Sequence, residues 1–182
     1  MQKPKSKKEA SANEAVAPAL QTPSDLKMTD REKVAEAING LLANAFVLYV
    51  KTKNFHWHIS GPNFRDYHLM LDEQAGQIFA TIDPLAERVR KLGLPTVSSL
   101  AHILKLTAID ENDDAFVSPA TMLEELCNDN VASAKAMREA HKICDDADDV
   151  ATASLLETYI DDTEKRIWFL FESARNAGSG GH

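Results

Sequence analysis

Two long apolar patterns of helical period, joined by the turn Ser60-Gly61-Pro62-Asn63, constrain the fold of this chain more than any other feature. Before the turn, Ile38, Leu41, Leu42, Ala45, Tyr49, Thr52 and His56 share one face of a helix expected from about residue 30 to 58. Thr29-Asp30-Arg31-Glu32 reads as a capping box at its start. After the turn, Phe64, Tyr67, His68, Leu71, Ala75, Ile78, Phe79, Ile82, Leu85, Val89 and Leu92 predict a second helix with a broad apolar face. Pro62 suits its first position, Gly93 and Pro95 end it, and Pro84 in its interior is expected to kink the helix or cost it a hydrogen bond. A long connection follows, with a short helix expected over Ser98 to Leu106 and a polar loop over Asp110 to Asp114. Ser118-Pro119 opens a third long helix, marked by Leu123, Leu126, Cys127, Val131, Ala134, Met137 and Cys144. The acidic run Asp145-Asp146-Ala147-Asp148-Asp149 interrupts it, and Leu156, Ile160, Thr163, Ile167, Leu170 and Ala174 mark a fourth. Short links within each pair and a long one between pairs predict an all-α four-helix bundle, its long crossover carrying a short extra helix.

Composition agrees. A chain of 182 residues with only 7 Gly and 7 Pro has too little turn chemistry for a many-stranded sandwich. Its net charge of −8 argues against a domain with a basic nucleic-acid surface. The charge is uneven, however: Lys3, Lys5, Lys7 and Lys8 place four positive charges in the first eight residues and leave the rest at −12. Residues 1–28 read as a flexible lysine-containing arm, 29–177 as the bundle, and 178–182 as a flexible tail. Cys127 and Cys144, on one helix, lie roughly 25 Å apart, so no disulfide joins them. No apolar stretch follows the early lysines as in a signal peptide, and no run reads as a membrane span, so a cytoplasmic protein without membrane contact is expected.

Five side chains of the first two helices are candidate metal ligands: His56, His68, Asp72, Asp83 and Glu87. His68 and Asp72 are four apart, as are Asp83 and Glu87, and all four fall within an arc of roughly 100°. Carboxylates beside a core-facing stripe are costly unless they bind something. Asp72 and Asp83, however, stand roughly 16 Å apart along the axis, so the two pairs cannot hold one ion within one chain. His56 and His68 lie six residues either side of Pro62, so an antiparallel hairpin sets them at one height. A two-fold axis pairing antiparallel copies of the second helix would bring Asp83 and Glu87 of one protomer to His56, His68 and Asp72 of the other. The spacing therefore predicts a homo-oligomer with metal sites shared between protomers.

The stretch Lys53-Asn54-Phe55-His56-Trp57-His58-Ile59-Ser60-Gly61-Pro62-Asn63-Phe64, with Tyr67-His68-Leu69-Met70-Leu71-Asp72-Glu73 and Asp83-Pro84-Leu85-Ala86-Glu87-Arg88, resembles the Dps proteins, the DNA-binding mini-ferritins of starved cells. The resemblance extends over about residues 30–175, including Trp168-Phe169-Leu170-Phe171-Glu172-Ser173. It implies a ferritin-like fold and a hollow dodecamer built from two-fold dimers. It further implies ferroxidase sites between subunits, with His56, His68 and Asp72 from one and Asp83 and Glu87 from the other. The implied reaction is oxidation of Fe(II) by hydrogen peroxide, followed by storage of ferric mineral. Imidazole and carboxylate ligands suit iron, and zinc is an alternative occupant. Trp57, beside His56, is placed to intercept stray oxidising equivalents.

Other readings stay open at this stage. The four arm lysines either contact DNA phosphates non-specifically, making the protein nucleoid-associated, or serve as a solubilising tail. A DNA-compacting structural protein with a non-catalytic metal site is the alternative function. A di-iron oxygenase is disfavoured, since no Glu-x-x-His occurs. The run Asp145 to Asp149 is a candidate pore lining or a solvated loop. His58 points away from His56 toward a surface or interface, and His102, His141 and His182 have no partners by spacing. Trp168, Phe169 and Phe171 are expected to pack a core or an interface.

Overall fold

A computed structural model describes residues 17–177 of the chain; Lys3, Lys5, Lys7, Lys8, the expected tail at 178–182 and His182 lie outside the described residues. All regular structure among the described residues is helical. A 3-10 turn at Pro18–Leu20 precedes α1 (Met28–His58), α2 (Phe64–Lys91), α3 (Leu100–Leu106), α4 (Pro119–Asp146) and α5 (Val150–Ala177). The hairpins α1–α2 and α4–α5 pack mainly through α1 on α4, while α3 lies across the outer side of α1. The fold is the expected four-helix bundle, with its crossover helix in place.

Each long helix supplies a stripe to one core. Ile38, Leu42 and Phe55 of α1 are fully buried with Leu71 and Leu85 of α2, Met122, Leu123 and Leu126 of α4, and Leu156 and Leu170 of α5. Ile103 and Ile109 of the crossover close on Ala43 and Val47 in a smaller cluster. Asn44 pins that crossover, its side-chain oxygen accepting from the Ala108 amide at 2.7 Å and the Thr107 hydroxyl at 3.1 Å. By length and composition α1 is apolar enough to cross a membrane, contrary to expectation, yet half of that stretch is buried inside the bundle. Its apolar character is that of a core helix.

Several local expectations are corrected. The capping box at Thr29 does not form: α1 begins at Met28, and the Lys27 carbonyl accepts from Asp30 and Arg31. Residues 18–27 do not belong to a loose arm, because they dock on the C-terminal end of α2, where helix-end carbonyls need donors. The Thr22 hydroxyl donates to Arg90 O, Arg31 donates to Leu92 O at 3.0 Å, and Arg90 donates back to Leu20 O at 2.9 Å. Gly93 makes this docking possible: its φ is +80°, and a Cβ there would stand 2.8 Å from Thr22 N. α2 starts at Phe64, with Pro62 still in the turn, since Gly61 at φ +95° reverses the chain first. α2 then runs unbroken past Pro84.

Phe79 and Val131, expected in the core, are 56% and 50% exposed, because each sits on a flank of its helix that the described residues cover only in part. Trp168, Phe169 and Phe171 are also exposed, leaving the core reading for them unfilled. In the acidic run Asp145, Asp146 and Asp148 are exposed, and Asp149 is structural. α4 continues through Asp146, Asp148 turns the chain at φ 56°, and Asp149 is buried, accepting from the Thr152 amide at the start of α5. His141, expected to stand alone, sits between Asp145 at 3.1 Å and Glu157 at 3.2 Å.

Candidate metal centre

The hairpin brings the last turn of α1 against the first turns of α2 and places His56 and His68 face to face. Their rings stack with centroids 3.8 Å apart. Each Nδ1 bonds the other residue's backbone carbonyl, at 2.8 Å from His56 to His68 O and 2.9 Å from His68 to His56 O. A carbonyl only accepts, so both Nδ1 atoms carry a proton, and in the neutral imidazole Nε2 is the atom left to bind a metal. The carbonyl of His56 is one of the unpaired groups at the end of α1, which gives His68 a ready acceptor. The two histidines thus fix each other's tautomer and orientation.

Asp72 completes this side. Its Oδ1 lies 3.8 Å from His56 Nε2, within the roughly 4 Å that two donors each about 2.1 Å from one ion can span. Lys53 occupies the same oxygen at 2.7 Å. The hydrogen bond from that ammonium, and then its charge, hold the Asp72 carboxyl below the usual carboxylate range, with His56 and His68 adding to the effect. Lys53 was missed from sequence, although it stands three residues before His56 and therefore shares its helix face. Trp57 is 63% exposed and lies beside Lys53, whose ammonium stands 5.7 Å from its ring and 2.7 Å from Asp72 Oδ1. His58 is exposed and bonds Asn54 O at 2.8 Å, in line with a surface position.

Asp83 and Glu87 lie at the far end of α2, both exposed, with Glu87 paired to Lys91 at 3.3 Å. Among the described residues, no three His, Cys, Asp or Glu side chains of one chain converge on a point suited to an ion. His56, His68 and Asp72 are therefore neighbours that form an incomplete set. The donor types fit a first-row transition ion, and the positions missing from the set correspond in kind to the carboxylates stranded at the other end of the helix.

A family model for the ferritin-like domain matches residues 35–176. The DNA protection during starvation protein of Brevibacillus brevis is 37% identical over 145 residues, covering 80% of this chain and 97% of that protein. The chain belongs to the Dps family of ferritin-like proteins. Two solved Dps structures resemble this Dps chain throughout the bundle. That from Thermosynechococcus elongatus has a TM-score of 0.77 at 33% identity, covering 80% of this chain and 92% of the other. That from Vibrio cholerae, described as a member of a superfamily of ferritin-like diiron-carboxylate proteins, has a TM-score of 0.79 at 28% identity, covering 88% and 98%.

Within this Dps chain the bundle interior is built differently from the α1–α2 side. Its buried polar groups include Gln74, Thr81, Asn130, Ser133, Thr163 and Arg166, and Asp149, at the α4–α5 turn, is the one buried carboxylate among the described residues. Arg166 is 4% exposed and donates to Asn130 Oδ1 at 2.9 Å and Thr163 Oγ1 at 2.6 Å. Burial pushes its guanidinium down to about 10, and it still enters the interior as a cation at neutral pH. A positive charge among neutral partners repels a metal ion, so the interior of a single bundle is unsuited to a di-iron centre.

Proposed function

We propose that this Dps-family protein oxidises Fe(II) with hydrogen peroxide at sites shared by two protomers and stores the ferric product inside a cage, the expected dodecamer. The observation that carries the reading is the reciprocal histidine pair, whose Nδ1 atoms are both engaged by backbone carbonyls, leaving Nε2 of each as the candidate metal-binding atom beside Asp72, while the other two candidate ligands stand far along the same helix. In the reading, Asp83 and Glu87 of the partner close the site. Fe(II) is the substrate; one peroxide takes one electron from each of two Fe(II) ions and, with two protons, leaves as two waters. Paired delivery avoids the one-electron cleavage that releases hydroxyl radical. The acidic body, at −12 outside the first eight residues, favours accumulation of Fe(II).

Fe(II) consumption on adding peroxide tests this, with His68→Ala/Asp72→Ala against the parent. Loss of the fast phase is expected, and equal rates would remove the site. Zinc added first should slow the parent by competing for the same donors.

A second activity, non-specific DNA contact, is favoured by Lys3, Lys5, Lys7 and Lys8 and by the names of relatives such as the Deinococcus radiodurans DNA protection during starvation protein 1. Several arms on one particle would multiply a weak, salt-sensitive attraction, placing the protein in the cytoplasm beside the nucleoid. Deleting residues 1–10 should abolish retardation of DNA at low salt, and unchanged retardation would discard the arm.

A further inference from the structure

The two ligand pairs of α2 are inverted images of each other about a point between residues 77 and 78: Asp72 mirrors Asp83 and His68 mirrors Glu87. If a two-fold axis joins the pairs, it crosses α2 at that point, and the register of every other residue on the face follows. Phe79 then stands opposite Gly76 of the partner subunit, and Leu69 opposite Ala86 of the partner subunit. At 100° per residue, Phe79 and Gly76 both lie within about 40° of Asp72 and of Asp83, so they belong to the same face.

Their surroundings are those of a knob and a socket. Phe79 is 56% exposed at the middle of a long helix, braced on one side by the Tyr49 ring at 5.1 Å. Gly76 is exposed, and a Cβ built there meets nothing within 4 Å, so no contact among the described residues demands a glycine. A glycine at mid-helix costs roughly 1 kcal/mol relative to alanine. Leu69, half exposed, extends the apolar strip toward the metal-binding end.

We propose that Phe79 of each protomer seats on Gly76 of the partner subunit, and that this reciprocal packing sets the register that brings Asp83 and Glu87 to the histidine pair. The occupant of the α2 face is a second copy of this chain, and Phe79 and Gly76 are positioning residues for the metal site. The inference rests on the shared-site reading above and adds the contact that holds it in register. The bare glycine lets the helices approach closely, and the phenyl ring fills the space so created.

An exchange of the two residues tests it. Gly76→Phe sets ring against ring, and Phe79→Gly leaves a gap; Gly76→Phe/Phe79→Gly restores one ring opposite one glycine at both symmetry-related contacts. Both changes are at exposed positions, so helix content of all three variants by circular dichroism should match the parent. Each single variant should show a smaller mass by sedimentation and Fe(II) oxidation slowed about tenfold or more, as for loss of a group that positions metal ligands. The double variant should recover both. Single variants with parental mass and rate, or a double variant no better than the singles, would overturn the packing. The mass measurement needs no iron, so a parent that assembles but leaves Fe(II) unoxidised would count against the ferroxidase reading and leave mass to decide this one.

Discussion

Replacing Asp149 by alanine should destabilise the bundle more than any other single change in the acidic run. The carboxylate is 2% exposed and takes three bonds: from Arg88 Nη2 at 2.7 Å, from the Thr152 amide at 3.1 Å, and from the Thr152 hydroxyl. It therefore neutralises a cation of α2 while capping the first turn of α5. Breaking a buried pair from one side costs about 3–5 kcal/mol, because the remaining charge is left desolvated. A lost N-cap costs about 1 kcal/mol by itself. The two are not additive here, since Arg88 is 18% exposed and keeps its bond to Thr152 Oγ1 at 2.6 Å. The expected loss is about 3 kcal/mol, or roughly 6–12 °C in Tm for a domain of this size. Thermal melts followed by circular dichroism at one fixed protomer concentration measure it, because the proposed assembly would make Tm concentration-dependent. Asp149→Asn, which keeps an acceptor for the Thr152 amide and loses the charge, should fall between parent and alanine. Removing the cation as well, in Arg88→Ala/Asp149→Ala, should cost less than the sum of the two single changes. An alanine variant within about 1 kcal/mol of the parent would refute the account of a desolvated, capped pair.

Lys53→Ala should raise the Asp72 pKa toward 3.8, read by NMR titration of the carboxyl carbon, because the ammonium bond is the largest cause of its depression. The sign follows: the pair's contribution is complete above 3.8 and fades as the pH falls through the lowered folded value, so the variant should lose that acid-side dependence. The same variant should bind Zn(II) more tightly by calorimetry, since a competing cation leaves the carboxylate. Cys144 should resist alkylation at about pH 8 until the protein unfolds, its buried thiol being pushed up to about 12 by desolvation and by Asp149 and Asp145. Rapid native-state labelling of Cys144, mapped by mass spectrometry, would contradict that burial.

Helix positions were legible because each long helix spends a stripe of Leu, Ile, Val and Phe on one core, and a 3.6-residue period survives local irregularity. What stayed hidden depended on partners distant in sequence. Thr29-Asp30-Arg31-Glu32 has the letters of a capping box, yet the helix start answers to Arg31 reaching Leu92, 61 residues away. Residues 18–27 look like the rest of a polar arm, and only the carbonyls at the end of α2 give them a place. Asp145, four residues from His141, was readable as its partner, whereas Glu157 needed the register of the α4–α5 hairpin. The acidic run read as one feature because its letters are alike. Arg88 separates Asp149 from the rest, a distinction carried by burial and absent from composition.

The candidate site divides in the same way. That its five candidate ligands do not meet within one chain was readable, because the rise per residue is a constant and α2 runs unbroken from residue 72 to 83. Its chemical state was not. Spacing says that His56 and His68 meet; it does not say that each lends the other a carbonyl, which engages both Nδ1 atoms and leaves Nε2 as the candidate metal-binding atom. That exchange depends on the height at which the hairpin sets the two rings, and the height depends on the turn at residues 59–63, where Gly61 adopts φ +95°. A Gly61→Val change, introducing a β-branched side chain where φ is positive, should therefore weaken metal binding without touching a ligand. The turn therefore belongs to the candidate metal centre as much as the histidines do: it is the local device that converts two helical imidazoles into an oriented pair.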